Sequence, residues 1–254
     1  MVGSSRPLLL LSLLFSAAFA AEGCGGSERP RVVGPPAGEH DFPDPRAHAH
    51  GDLGGHDGHG GTLVHRFENA DEWAKKLDDP ARDVWQKPAE VVAAMQITPG
   101  MTVADIGAGT GYFEPYLSRA VGPQGTVLAL DVEPDMVRYL GERAKREQLT
   151  NVRPALAGMD DPKLPSRGVD RVLAVDVWHH IPSRAPFAAK LVEAVKSGGK
   201  VVVVDFTLEA KHGPPVQHRL APEVIAKELE TAGFAVEIVS STLPDQYIVV
   251  GTRR

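Results

Sequence analysis

The stretch Val103-Ala104-Asp105-Ile106-Gly107-Ala108-Gly109-Thr110-Gly111-Tyr112-Phe113 constrains the fold of this chain more than any other. A short apolar run ends in Asp105, and glycines then alternate at Gly107, Gly109 and Gly111. The pattern predicts a buried parallel strand that passes through a tight turn into a helix. Glycine suits such a turn because it adopts positive φ and because its missing Cβ lets a ligand lie against the backbone. Twenty residues beyond Gly111, the β-like run Thr126–Leu130 stops at Asp131. In a doubly wound sheet, a carboxylate at the end of the second strand sits beside the glycine turn, where it can accept both hydroxyls of a ribose.

The rest of the domain alternates strand and helix, which predicts a parallel sheet covered on both faces. Phe113–Val121 reads as a helix left through Gly122-Pro123-Gln124-Gly125, and Glu133-Pro134-Asp135 starts the next, with Met136, Leu140 and Ala144 along its buried face. Strands are expected at 152–157 and 168–175, then a helix through Phe187, Leu191 and Val195 that stops at Ser197-Gly198-Gly199, then a fully buried strand at 200–205. A last helix over 223–232 has Pro222 in its first turn and Gly233 as its cap. The runs 234–239 and 246–250 are too closely connected for a parallel crossover, so an antiparallel pair is expected.

These features resemble class I S-adenosylmethionine-dependent methyltransferases, over roughly Arg66 to the C-terminus. A nicotinamide dinucleotide site shares the glycine turn and the acid, but its G-x-G-x-x-G needs glycine where this chain has Tyr112. The seven-strand plan with its last strand reversed supports the same choice. The resemblance implies a Rossmann-like α/β fold and S-adenosylmethionine as cofactor. Asp105, Gly107, Gly109 and Gly111 would hold the methionine portion and Asp131 the ribose. Val132, Met136 and Met159 would flank the adenine, Asp160 would accept from its amine, and Asp176 would line the floor near the sulfonium. Met136 fits a core position equally well.

Four segments follow from this reading: 1–24, 25–61, an N-terminal helical cover at 62–101, and the methyltransferase domain at 102–254. Residues 1–24 carry Arg6, an apolar run and Ala18-Phe19-Ala20, the pattern of a secretory signal. The sole cysteine, Cys24, excludes an intrachain disulfide. It resembles a bacterial lipoprotein acylation site, with cleavage after Ala20 as the rival. The expected location is exported, either periplasmic or anchored to a membrane through the signal or a lipid alone. Residues 25–61 are rich in Gly, Pro, His and Asp and are expected to form a disordered linker. His48, His50, His56 and His59 would chelate metal only weakly, since their spacing fits no fixed zinc site.

Net charge is −6 and no run of Lys or Arg exceeds two, so a nucleic-acid partner is disfavoured. The chain lacks a cysteine triad for arsenic chemistry and an Asn/Asp-Pro-Pro-Phe/Tyr motif for amino methylation. A small-molecule acceptor remains, aromatic or quinone-like by resemblance to ubiquinone-biosynthesis-type methyltransferases. Arg82, Trp85 and Gln86 are expected on a lid, with Tyr112 and His212 on the acceptor side. His179 is the preferred candidate for a base among His179, His180, His212 and His218. The competing reading is a non-catalytic lipoprotein that binds a ligand or metal on the same fold.

Overall fold

The computed structural model describes residues 69–254. The secretory signal, Cys24, the linker with His48, His50, His56 and His59, and the start of the cover lie outside the described residues. Seven strands form one sheet in the order β3-β2-β1-β4-β5-β7-β6. They are β1 (Thr102–Ile106), β2 (Thr126–Asp131), β3 (Val152–Leu156), β4 (Val169–Val175), β5 (Val195–Phe206), β6 (Phe234–Val239) and β7 (Gln246–Arg253). Strands β1 to β5 pair in parallel, whereas β7 runs antiparallel to both β5 and β6. The expected reversed hairpin is therefore present, with β7 inserted between β5 and β6.

Side chains alternate across the central strands with the two-residue period of extended backbone. Ala104, Ile106, Val172, Ala174, Val201 and Val203 face α6 (Arg184–Ala194) and α7 (Pro222–Ala232), meeting Phe187, Leu191, Ile225 and Leu229. Val103, Leu173, Val175, Val202 and Val204 face α3 (Pro88–Met95), α4 (Glu114–Val121) and α5 (Pro134–Arg146), meeting Val91, Met95, Leu117 and Leu140. Each large apolar side chain buried this way contributes about 1.5–3 kcal/mol. Burial on both faces explains the unbroken apolar runs of these strands. Among the described residues, no helix is long and apolar enough to cross a membrane.

One expectation needs correction. Helix α6 ends at Ala194, and Val195 opens β5 instead of continuing the helix. A β-branched residue suits either state, and pairing with Val169 of β4 decides it. Met136 is 1% exposed on the inner face of α5, a burial that suits packing and cofactor wall alike. Before the sheet, α1 (Ala70–Leu77) and α2 (Arg82–Gln86) form the cover with α3, and α2 was not foreseen as a helix.

Candidate active site

The carboxyl end of β1 delivers the chain into the glycine turn. Gly107, Gly109 and Gly111 have φ of 69°, 57° and 89°, a region costly for other residues. Space is short as well as conformation. A Cβ on Gly107 would lie 2.5 Å from Val177 Cγ2, and one on Gly111 would lie 2.8 Å from Leu140 Cδ2.

The turn is tied to the next strand by Asp131. One carboxylate oxygen of Asp131 accepts from the Gly109 amide at 2.8 Å, and the other from the Glu133 amide at 2.9 Å. Burial pushes its pKa up, against the pull of these amide bonds. Val132 and Met159, 41% and 43% exposed, stand at the ends of the neighbouring strands β2 and β3. Asp160 is exposed in the Gly158–Asp161 turn, which follows Ala157, itself bonded through its amide to the Asp131 carbonyl. Val132, Met159 and Asp160 thus follow the paired ends of β2 and β3, next to the Asp131 carboxylate in the chain or across the ladder.

Beneath the turn two acids meet. Asp105 is 3% exposed, and the carboxyl of Glu114, 1% exposed, contacts it from the first residue of α4. Burial, followed by repulsion from Glu114 and Asp131, holds Asp105 well above the usual carboxylate range. Burial likewise raises Glu114, although Arg143 draws it down. Neither Glu114 oxygen receives a hydrogen bond.

The cover is bolted onto the same turn. Asp78, just after α1, accepts from Thr110 Oγ1 at 2.7 Å and from Arg143 Nη1 at 2.8 Å. Arg143 also donates to the Thr110 carbonyl. From α2, Arg82 lies over the Tyr112 ring at 4.2 Å and 3.9 Å from Asp176, and it donates to Gln86. The buried amide of Gln86 donates to Gln246, which donates to Asp176. Tyr112 donates its hydroxyl to Asp83. Four of the expected residues, Arg82, Gln86, Tyr112 and Asp176, therefore form one connected cage.

Asp176 sits just past β4 with φ of 57°, a position Asp tolerates better than most residues. Burial lifts its carboxyl to about 7, with Arg82, then His179 and the Gln246 bond opposing and Asp205 assisting. Three residues on, His179 places Nδ1 against both oxygens of Asp205, at 2.8 and 3.0 Å. Burial disfavours the imidazolium, yet the Asp205 bond and charge outweigh it, so the His179 pKa is raised. A carboxylate on Nδ1 leaves Nε2 as the basic nitrogen of the neutral ring. At the rim, His212 bonds Asp245 through Nδ1 at 2.5 Å and stacks on Trp85 at 5.5 Å with rings 12° from parallel.

Several partners escaped the sequence reading: Asp78, Glu114, Arg143, Asp205, Asp245 and Gln246. Asp205 alone carried a visible signal, an acid closing a buried apolar strand as Asp105 and Asp131 do.

The residues present suit a sulfonium nucleoside. The turn has no room for a side chain at Gly107 or Gly111, Asp131 offers unused lone pairs to a diol, and the buried acids Asp105 and Glu114 meet beneath it. Comparison with known proteins points the same way. Residues 103–199 match a family described as a methyltransferase domain. A ubiquinone/menaquinone biosynthesis C-methyltransferase of Bordetella parapertussis is 29% identical over 128 residues, covering 50% of this chain and 48% of that protein. The chain thus spans about half the length of that curated relative. A demethylmenaquinone methyltransferase of Tropheryma whipplei is 27% identical over 169 residues, covering 65% of this chain and 67% of that protein. The crystal structure of a SAM-dependent methyltransferase from Aquifex aeolicus is 30% identical, with a TM-score of 0.68, covering 72% of this chain and 98% of that one. With the reversed seventh strand, the acid-flanked glycine turn and a relative matched along almost its whole length, the chain belongs to the class I S-adenosylmethionine-dependent methyltransferases.

Proposed function

We propose that this chain transfers the methyl group of S-adenosylmethionine to a ring carbon of a small hydroxylated aromatic or quinol-type acceptor, and that it does so after export. The observation that carries the reading is the adjacency of two half-sites. The Gly109–Asp131 clasp would take the nucleoside, and the cage of Arg82, Tyr112, Gln86 and Asp176 stands beside the turn. Relatives named for quinone methylation support the acceptor class, and the signal-like sequence pattern of residues 1–24 supports export.

The cofactor brings an electrophilic methyl on a sulfonium, so the protein chiefly aligns the acceptor. Asp105 and the three glycines would seat the methionine end, Asp131 the ribose, and Val132, Met159 and Asp160 the adenine. Trp85 and His212 offer a flat stacked pair at the rim on which a ring can lie. His179, held by Asp205, would take the acceptor's hydroxyl proton on Nε2 as the ring carbon becomes nucleophilic.

Titration calorimetry of the purified protein with S-adenosylmethionine, followed by labelled methyl transfer to a panel of demethylated quinols, tests this reading. Micromolar binding with transfer to a quinol ring carbon is the expected result. Binding without transfer to any phenol or quinol removes the acceptor class. No heat up to millimolar cofactor removes the enzyme and reopens the non-catalytic binding lipoprotein, which family membership does not favour. A reporter fused after residue 24 tests export, and cytoplasmic retention of the fusion withdraws it.

A further inference from the structure

We infer that Glu114 and Asp105 share one proton beneath the glycine turn, and that Glu114 thereby makes cofactor binding release that proton. The inference rests on the cofactor reading above and concerns a residue that no comparison assigns a role.

The geometry leaves few options for Glu114. It is 1% exposed at the start of α4, and neither carboxyl oxygen receives a hydrogen bond. Its Oε2 lies 3.4 Å from where a Gly111 Cβ would stand, so the group is pressed against the turn itself. Its side-chain neighbour is the carboxyl of Asp105, 3% exposed on β1. Two ionised carboxylates in contact and out of water repel strongly, whereas a single proton between them makes a hydrogen bond. The charges facing the pair are few. Asp131 of β2 adds negative charge, while Arg143 of α5 and Arg82 of α2 add positive charge. Arg143 is already committed to Asp78 and Glu147, and Arg82 to Asp176. Nothing among these neighbours neutralises both acids: burial holds both above the usual carboxylate range, and repulsion from Glu114 lifts Asp105 further.

A cofactor whose ammonium docks at the Asp105 end changes this balance. The cation favours ionisation of Asp105, the shared proton leaves to solvent, and the pair binds as a dianion. Glu114 acts through Asp105 and is a positioning residue. Affinity should then rise with pH by up to about tenfold per unit until the pair is ionised in the free protein, and level off above that.

Calorimetry of the full chain at about pH 6, in buffers of different ionisation enthalpy, counts the protons exchanged. S-adenosylmethionine and S-adenosylhomocysteine, which share the ammonium, should each release close to one proton, and adenosine none. Glu114→Gln should abolish the release and flatten the pH dependence, because the Gln amide donates to an ionised Asp105. Binding of S-adenosylmethionine to the wild-type chain without proton release overturns the inference and leaves the cofactor reading intact. Equal release by adenosine also overturns it, by moving the linkage to the ribose end. Absence of binding by all three ligands removes the cofactor reading and this inference with it. The wild-type proton count needs no variant, so it stands even if Glu114→Gln fails to fold.

Discussion

The amide of Gly109 donates to Asp131 at 2.8 Å, and this bond joins the turn after β1 to the end of β2. Both Asp131 oxygens already hold backbone amides, so a ribose diol would use their second lone pairs. Asp131→Ala should weaken S-adenosylmethionine binding by about 1.5–3 kcal/mol, the scale of hydrogen bonds to a charged group. Calorimetry reads this directly, and an unchanged affinity places the ribose elsewhere.

Close approach at Gly107 gives a second prediction. Gly107→Ala combines φ of 69° with a contact 2.5 Å from Val177 Cγ2. The expected cost is about 2–4 kcal/mol, from backbone strain and overpacking together. Val177→Ala in the same chain removes the contact but not the strain. A denaturation cycle should therefore show the double variant at least about 1 kcal/mol more stable than the sum of the single changes. Strict additivity argues that the turn moves as a body and that Val177 does not set its shape.

The site was legible in sequence wherever its parts lie close along the chain. Asp105, the three glycines and Asp131 stand at strand ends, where the residue type needed by the backbone also announces the ligand. The closing hairpin was equally visible, because a short link permits only antiparallel pairing. Contacts made across the fold left no such trace. Gln86 meets Gln246 from 160 residues away, and nothing local marks either as buried. Glu114 stands in the first turn of a helix, where the helix dipole alone favours an acid, so its residue type marks nothing further. Helical spacing put Met136 on the inward face of α5 but had no means to say whether that face met core or groove.

Asp176 gives a pH-dependent prediction. An acid whose pKa is raised by folding, here from the ordinary 3.8 to about 7, destabilises the native state once it must ionise there. Its contribution is absent below about pH 4, grows as pH rises toward 7, and is constant above. Asp176→Asn keeps an acceptor for Gln246 and tolerates positive φ, but it does not titrate. Relative to wild type, the variant should gain roughly 4 kcal/mol between about pH 4 and pH 8. Urea unfolding at both values measures this. A parallel pair of stability curves shows that Arg82, 3.9 Å away, keeps Asp176 ionised throughout.

Trp85 separates acceptor binding from chemistry. It stacks on His212, lies 6.1 Å from Phe206 and has Arg82 5.7 Å from its ring, and it makes none of the contacts assigned to the nucleoside. Aromatic stacking is worth about 0.5–1.5 kcal/mol beyond area. Trp85→Ala should therefore raise the acceptor KM by roughly 3–10-fold, while kcat stays within about twofold and cofactor affinity is unchanged. Trp85→Phe should recover most of the loss. A fall in kcat with KM unmoved assigns Trp85 to lid closure instead.

The base assignment rests on the His179–Asp205 pair. Asp205 is fully buried, and its bond at 2.8 Å fixes which imidazole nitrogen carries the proton in the neutral ring. Because that bond and charge raise the His179 pKa, the neutral, basic form is populated only as pH rises beyond the ordinary 6.5. Methyl transfer to a phenolic acceptor should therefore show an ascending limb above that value. His179→Gln should lower kcat by about 10²–10⁴-fold and erase the limb, with cofactor affinity preserved. Asp205→Asn should shift the limb to lower pH, since the imidazolium loses its counter-charge while Nδ1 keeps a hydrogen-bonding partner. A structural histidine would give neither signature. If His179→Gln leaves the ascending limb in place, Asp176, whose carboxyl burial lifts to about 7 beside His179, becomes the group that takes the proton.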